Sequence, residues 1–256
     1  MKKTGITMLS IFILFLGWII VFAVVNNPLL LPSPLAVFKA FFELFTNLKT
    51  LQSMGATILR LLLALTIAFI IGVALGLLSG FYPKFATFCS PIVTILRTVP
   101  VISIVVIMLI LFGFETTPYL ITFFMIFPII YQATFGGIKQ IDSELVDVYK
   151  LEDNRIITGL KYCYIPLIQS QVKTALLQSA GLGIKVLVMA EFLAQTKNSI
   201  GNQLYLSKVN LAYDQVFAWT LLLIFLAVIL ELLINRYAVI KNKITNDISV
   251  KKSITD

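Results

Sequence analysis

Lys139 to Lys173 reads KQIDSELVDVYKLEDNRIITGLKYCYIPLIQSQVK, the longest polar interval between apolar spans in the chain. Ser143 is placed to cap a helix starting at Glu144, with Leu145, Val148 and Leu151 as its apolar stripe. Asp153-Asn154 breaks it, and Ile156, Ile157 and Leu160 begin a second short helix running toward Ile165-Pro166. Two short helices facing water cannot conduct a solute themselves. They can enter a groove on a partner and transmit a push.

The rest of the chain is built for lipid. Of its 256 residues, 59% are hydrophobic and 12% charged. Soluble domains carry about twice that charge. The net charge of +8 follows the spans, which argues against nucleic acid as its cause. The absence of histidine removes the commonest general base and transition-metal ligand, and no metal site is expected. Cys89 and Cys163 read as small apolar fillers.

Reading outward from the interval gives six spans, at about 6–25, 57–80, 99–114, 119–135, 174–194 and 215–233. The predicted fold is an all-α polytopic membrane protein with a cytoplasmic helical loop, 139–173, between the fourth and fifth spans. A short cytoplasmic amino-terminal segment, 1–5, precedes a single six-span domain, 6–238, and a basic cytoplasmic tail, 239–256, follows. The first span ends at Asn26-Asn27-Pro28 without a small-residue cleavage site, so it is expected to be uncleaved. Ser33 and Pro34 start a short helix whose Phe38, Phe41, Phe42 and Phe45 share a face. That face either lies in the lipid interface or packs on the spans. The residues before Pro118 are expected to turn the chain, and Pro128 to kink the fourth span. A connection is placed at 81–84, and an entry helix near the interface is expected up to Arg97.

Six spans put both termini on one side. That side holds thirteen of the twenty Lys and Arg residues, and the other holds Lys39, Lys49, Lys197 and Lys208. The positive-inside rule then places both termini and the polar interval in the cytoplasm.

Within the spans, Gly72, Gly76 and Gly80 form a ridge for close helix packing. Arg60 lies near a span end, where snorkelling to the headgroups is the default reading. Lys185, Glu191 and Arg97 are candidate pathway or bundle-interior charges. Lys185 either attracts an anionic solute or pairs with Glu191 of an opposite subunit. Arg97, beside Val99-Pro100, reads as a bundle-structuring or interfacial residue. No catalytic residues are expected, since Ser103 and Lys185 form no recognisable dyad.

The polar interval resembles the EAA loop of ABC importer permeases, which carry the binding-protein-dependent inner-membrane component domain. The family pattern is E-A-A, three residues, G, nine residues, then I-x-L-P. Here Asp147, Val148 and Tyr149 stand at E-A-A, Asp153 at the Gly, and Cys163, Ile165 and Pro166 at I, L and P. Pro166 is identical, and Asp147 and Ile165 are conservative replacements. L-P-S-P-x-x-V-F from Leu31, L-R-T-V-P at 96–100, F-G at 112–113, G-G-I-K-Q-I-D ending at Asp142, M-A-E at 189–191, N-S-I-G-x-x-L from Asn198 and D-Q-V-F-A at 214–218 resemble one branch of that family. The branch serves nitrate, aliphatic sulfonates, taurine, bicarbonate and thiamine-pyrimidine precursors.

The resemblance implies a bacterial inner-membrane protein that forms the solute pathway with a second permease subunit, a homodimer being expected. ABC ATPase subunits would receive the loop through Asp147, Val148, Tyr149, Asp153 and Pro166, and an extracytoplasmic binding protein would deliver the solute. ATP and Mg would sit on the ATPase, leaving this chain without a cofactor or enzymatic activity. The absence of a Gly-rich Lys-Ser/Thr phosphate loop agrees with that division. An ion-coupled secondary transporter is the alternative, though no internal repeat is visible. A membrane-embedded enzyme is a further alternative.

Overall fold

The computed structural model describes residues 3–28, 30–142, 144–145 and 156–255. Its helices are α1 (Lys3–Val25), α2 (Pro34–Glu43), α3 (Leu48–Phe81), α4 (Pro83–Thr98), α5 (Val101–Lys139) and α6 (Ile156–Gly159). A π-turn, Leu160–Tyr164, joins α6 to α7 (Ile165–Ala194), and α8 (Ile200–Val209) and α9 (Tyr213–Thr255) complete the chain. The described residues are helical or loop, without strands, as the sequence predicts for an all-α polytopic protein. Five stretches are long and apolar enough to cross a bilayer: Gly5–Val25, Leu48–Phe81, Val101–Lys139, Tyr162–Ala194 and Tyr213–Ile234.

Local chemistry sets the boundaries. Ser33 Oγ accepts from the Ala36 amide at 3.2 Å, and Pro34 opens α2. Asn47 Oδ1 accepts from the Lys49 amide at 3.0 Å, so α3 begins at Leu48, well before the apolar run starting near Thr57. At 39 residues, α5 measures about 58 Å, nearly twice a hydrocarbon core. It breaks at Gly113, whose φ of 75° and ψ of 180° are open to glycine and almost nothing else. Pro118 follows five residues later, and the Phe114 carbonyl that its missing N–H leaves free accepts from Thr196 Oγ1 at 2.9 Å. The chain therefore turns at Gly113, ahead of the proline that the sequence marks.

The glycine ridge of α3 meets the second arm of α5. A methyl on Gly72 would lie 2.9 Å from Ile130 Cγ2, one on Gly76 2.6 Å from Thr134 Cβ, and one on Gly80 2.6 Å from Ile138 Cδ1. Partner numbers rise with ridge numbers, so these two helices run parallel. The chain must recross between them, and it does so in two pieces. Sixteen residues of α4 supply about 24 Å and residues 101–112 about 18 Å. Cys89 and Val93 of α4 pack with Ile126, Ile130 and Tyr131, while Ile104 and Val105 pack with Ile121. Residues 83–98 are thus more than an entry helix, because they pack into the bundle core.

α7 runs antiparallel to both partners. Gly183 faces Leu61 and Ile126, and Gly137 faces Ile168. α9 packs on α7 through Leu222, Leu223 and Leu226 against Ile184, Leu187 and Val188. α2 turns Val37 and Ala40 inward and leaves Leu35, Phe38 and Phe42 exposed. α1 is largely exposed, with Trp18 stacked on Phe217 at 5.9 Å.

The bundle has two ends. One carries the Phe81–Tyr164 ring contact, 4.7 Å between centroids. The other carries contacts of Arg60, Phe114 and Glu115 with residues 191–198.

Candidate functional site

α7 presents a polar stripe on a helix that is largely apolar. Gln171, Thr174, Gln178 and Lys185 are all exposed. With about 100° per residue they fall within roughly 60° of arc and span about 21 Å of axis. The opposite faces bury Ile168, Ala175, Ile184, Leu187 and Val188. An exposed polar stripe of this length has no counterpart in lipid, where polar side chains face a bundle interior or a water-filled cavity.

Beside the stripe runs a groove of about 530 Å³ that brings in α4 and the second arm of α5. Arg97, Gln132, Ser170, Gln171, Thr174 and Gln178 line it. Arg97 Nη1 donates to Gln132 Oε1 at 2.7 Å, which fixes the guanidinium at the groove wall. Gln171 Nε2 donates to Gln140 Oε1 at 2.9 Å, tying the stripe to the end of α5. The outer face of α4 continues the polar character through Thr87, Ser90 and Thr94, whose positions bound a shallower depression. Lys185 also borders a second groove, about 380 Å³, between α7 and α9, with Thr220 and Glu231 among its lining.

The third candidate charge has a different role. Glu191 is 0% exposed and saturated by donors from within the chain. Thr57 Oγ1 donates to it at 3.0 Å, Arg60 Nη1 at 3.1 Å and the Gly201 amide at 3.3 Å. Arg60 also donates to the carbonyls of Asn198, at 3.2 Å, and Lys197, at 3.1 Å. Glu115 accepts from the Lys197 amide at 3.2 Å, and Thr196 Oγ1 donates to the Phe114 carbonyl at 2.9 Å. These bonds pin residues 195–199, where Gln195 and Asn198 adopt left-handed angles, to α3 and to the break in α5. Arg60 is therefore buried and paired, not snorkelling, and Glu191 is buried against partners from its own chain. The cluster is a structural latch. The polar Thr57–Arg60 pair, three apart near the start of an apolar run, was its one visible signal.

The groove gathers Arg97 with residues the sequence reading passed over, namely Gln132, Gln171, Thr174 and Gln178. Their common face becomes visible only once α7 is known to continue unbroken from Ile165 and α5 to reach Lys139.

Of the loop residues, Asp147, Val148, Tyr149 and Asp153 lie outside the described residues, as does Ser143. Pro166 is exposed in the first turn of α7, just after the π-turn. Asp142 accepts from the Glu144 amide at 3.0 Å where the chain leaves α5. Gly72, Gly76 and Gly80 pack as described above.

The comparisons with known proteins bear on this arrangement. Residues 68–240, more than half the chain, match the family model for the binding-protein-dependent transport system inner membrane component. The chain is 26% identical over 221 residues to the taurine transport system permease protein of Escherichia coli K12, covering 84% of this chain and 80% of that protein. It is 25% identical over 168 residues to a putative aliphatic sulfonates transport permease protein of Bacillus subtilis 168, covering 65% of this chain and 60% of that one. A putative ABC transporter permease of Methanocaldococcus jannaschii is 24% identical over 190 residues, 72% of this chain and 71% of that protein. The membrane-length helices, the polar face they share and the extent of the family match agree: this chain belongs to the binding-protein-dependent transport system inner membrane component family and is a permease subunit of an ABC importer.

Proposed function

We propose that the face formed by α4, α5 and α7 is one wall of the solute passage, and that a second copy of the chain supplies the other. The observation that carries this reading is the groove containing Arg97, Gln132 and Gln178 on helices that are apolar over most of their length. Polar groups at that depth need water, solute or protein opposite them. In this reading the chain crosses the membrane six times, α4 and the first arm of α5 together making the third crossing. Both termini and residues 139–173 face the cytoplasm of a bacterial cell, which the charge distribution supports. The loop docks on an ABC ATPase that binds ATP and Mg, and an extracytoplasmic binding protein delivers solute at the end where residues 195–199 lie. The solute is a small anion, a sulfonate such as taurine or an ion such as nitrate, with a thiamine-pyrimidine precursor as the further option. The names of two relatives support the sulfonate class.

Asp147 is the proposed charge contact with the ATPase. The test is co-purification and uptake with Asp147→Arg, expressed with its ATPase and binding protein. Both should fall while the chain still reaches the membrane in normal amount. Unchanged co-purification and uptake would remove Asp147 from the docking surface.

A further inference from the structure

We infer that this permease itself selects for negative charge, through two cationic stations along the passage. Arg97 serves the half nearer residues 139–165, and Lys185 serves the half nearer residues 195–199. The inference rests on the pathway reading above.

Three observations converge on it. The first is the charge balance around the three cations that the sequence places within apolar stretches, Arg60, Arg97 and Lys185. Arg60 is neutralised by Glu191 at 3.1 Å, with Glu115 at 3.9 Å. Among the described residues neither Arg97 nor Lys185 has a carboxylate within 4 Å. Among the described residues the fold therefore compensates one of these three cations and leaves two without a counter-charge.

The second is orientation. Arg97 is held at the groove wall by a neutral acceptor, Gln132 Oε1, through Nη1. A neutral partner positions the guanidinium without cancelling its charge, and its remaining N–H groups suit a sulfonate or a carboxylate. Glutamate in place of Gln132 would have made a closed ion pair.

The third is alignment. Lys185 shares the exposed stripe of α7 with Gln178 and Thr174, which border the Arg97 groove. The Gln178–Lys185 interval covers about 10 Å of helix axis. An anion leaving Lys185 therefore meets the amide of Gln178 and the hydroxyl of Thr174 before it reaches Arg97. The acidic residue nearest this route by shared lining is Glu231, across the α7–α9 groove from Lys185. If Glu231, from either copy, closed on Lys185, the outer station would be cancelled, and Lys185→Met leaving the preference at Gln178→Cys unchanged in the test below would overturn that station.

The experiment reads the local field directly. The full chain is expressed with its ATPase, with Cys89 and Cys163 replaced by Ala, and single cysteines are placed by Thr174→Cys and Gln178→Cys. In membrane vesicles each thiol is exposed to two methanethiosulfonate reagents of similar size, one bearing a sulfonate and one a trimethylammonium group, with and without ATP. The rate ratio is normalised to that of a free thiol in solution. The expected result is a preference for the anionic reagent of about tenfold or more, the low end of electrostatic enrichment in a charged cleft. Arg97→Gln should reduce the preference most at Thr174→Cys. Arg97→Lys should keep it, and Lys185→Met should reduce it most at Gln178→Cys. Labelling by both reagents at the free-thiol ratio overturns the inference and leaves the passage in place. Labelling by neither reagent, with or without ATP, overturns the pathway reading and the inference together.

Discussion

Glu191 is reached by donors from α3, α8 and the guanidinium of Arg60, and none of those groups has water as an alternative partner. Removing one member of a buried ion pair strands the other and typically costs about 3–5 kcal/mol. Glu191→Ala is therefore expected to lower stability in detergent by about that amount. Arg60→Met combined with Glu191→Met should recover most of the loss, because the apolar pair leaves no orphan charge. Thermal unfolding of the three variants checks this, and a Glu191→Ala protein that melts like the parent would show the pair to be dispensable. The sequence displayed these residues but not their pairing. Arg60 stood near the end of an apolar run, where a lysine or arginine ordinarily reaches water. Only the fold, bringing residue 191 back onto residue 60, reveals a partner. The polar setting of Arg97 was hidden for a different reason. Its neighbours Val99 and Pro100 are apolar, while the glutamines that give it a polar setting come from helices distant in sequence.

At the level of elements, the contact between α3 and α5 is the tightest constraint. The four-residue spacing of Gly72, Gly76 and Gly80 was legible as a packing ridge, but spacing on one helix carries no information about which helix approaches it. The structure supplies Ile130, Thr134 and Ile138. Gly76→Val would drive its side chain into Thr134 and the Tyr131 carbonyl, 2.9 Å from the first added carbon. A loss of about 1–3 kcal/mol is expected from such overpacking. Pairing it with Thr134→Gly should restore part of that loss, read as melting temperature and as yield of folded protein. The helix ends were legible where a cap stood beside a proline, as at Ser33-Pro34. They were missed where a cap preceded polar helix, as at Asn47. The turn in α5 was legible only as lying before Pro118, because proline announces itself in a sequence. Gly113 does so only when its backbone angles are known, and the Thr117 hydroxyl donating to its carbonyl at 2.7 Å secures the start of the second arm.

For the whole molecule, hydropathy and charge together were sufficient for the class, since no soluble arrangement hides so much apolar surface. They gave α4 only the part of an entry helix near the interface, because Pro91 and Arg97 interrupt its apolar run, whereas it packs into the bundle core. Its inward residues, Cys89 and Val93, are too few to stand out. The six-crossing reading makes a definite statement about sides. A cysteine introduced at Asn210 should react with a membrane-impermeant thiol reagent added to intact cells, and one at Lys84 should react only after the membrane is opened, both in a background lacking Cys89 and Cys163. Labelling of both from outside would remove the proposed orientation.

The Arg60–Glu191 bond also has a history in time. Its two ends are 131 residues apart in the chain. At the usual rate of bacterial synthesis, roughly 5–20 residues per second, the arginine leaves the ribosome roughly 7–26 s before the glutamate that will neutralise it. During that interval α3 has to wait in or near the translocation machinery with an unsatisfied cation and an unfilled glycine groove. Its long apolar run must hold it there unaided. Nascent chains halted before residue 191 should thus be the ones that membrane quality-control proteases find first.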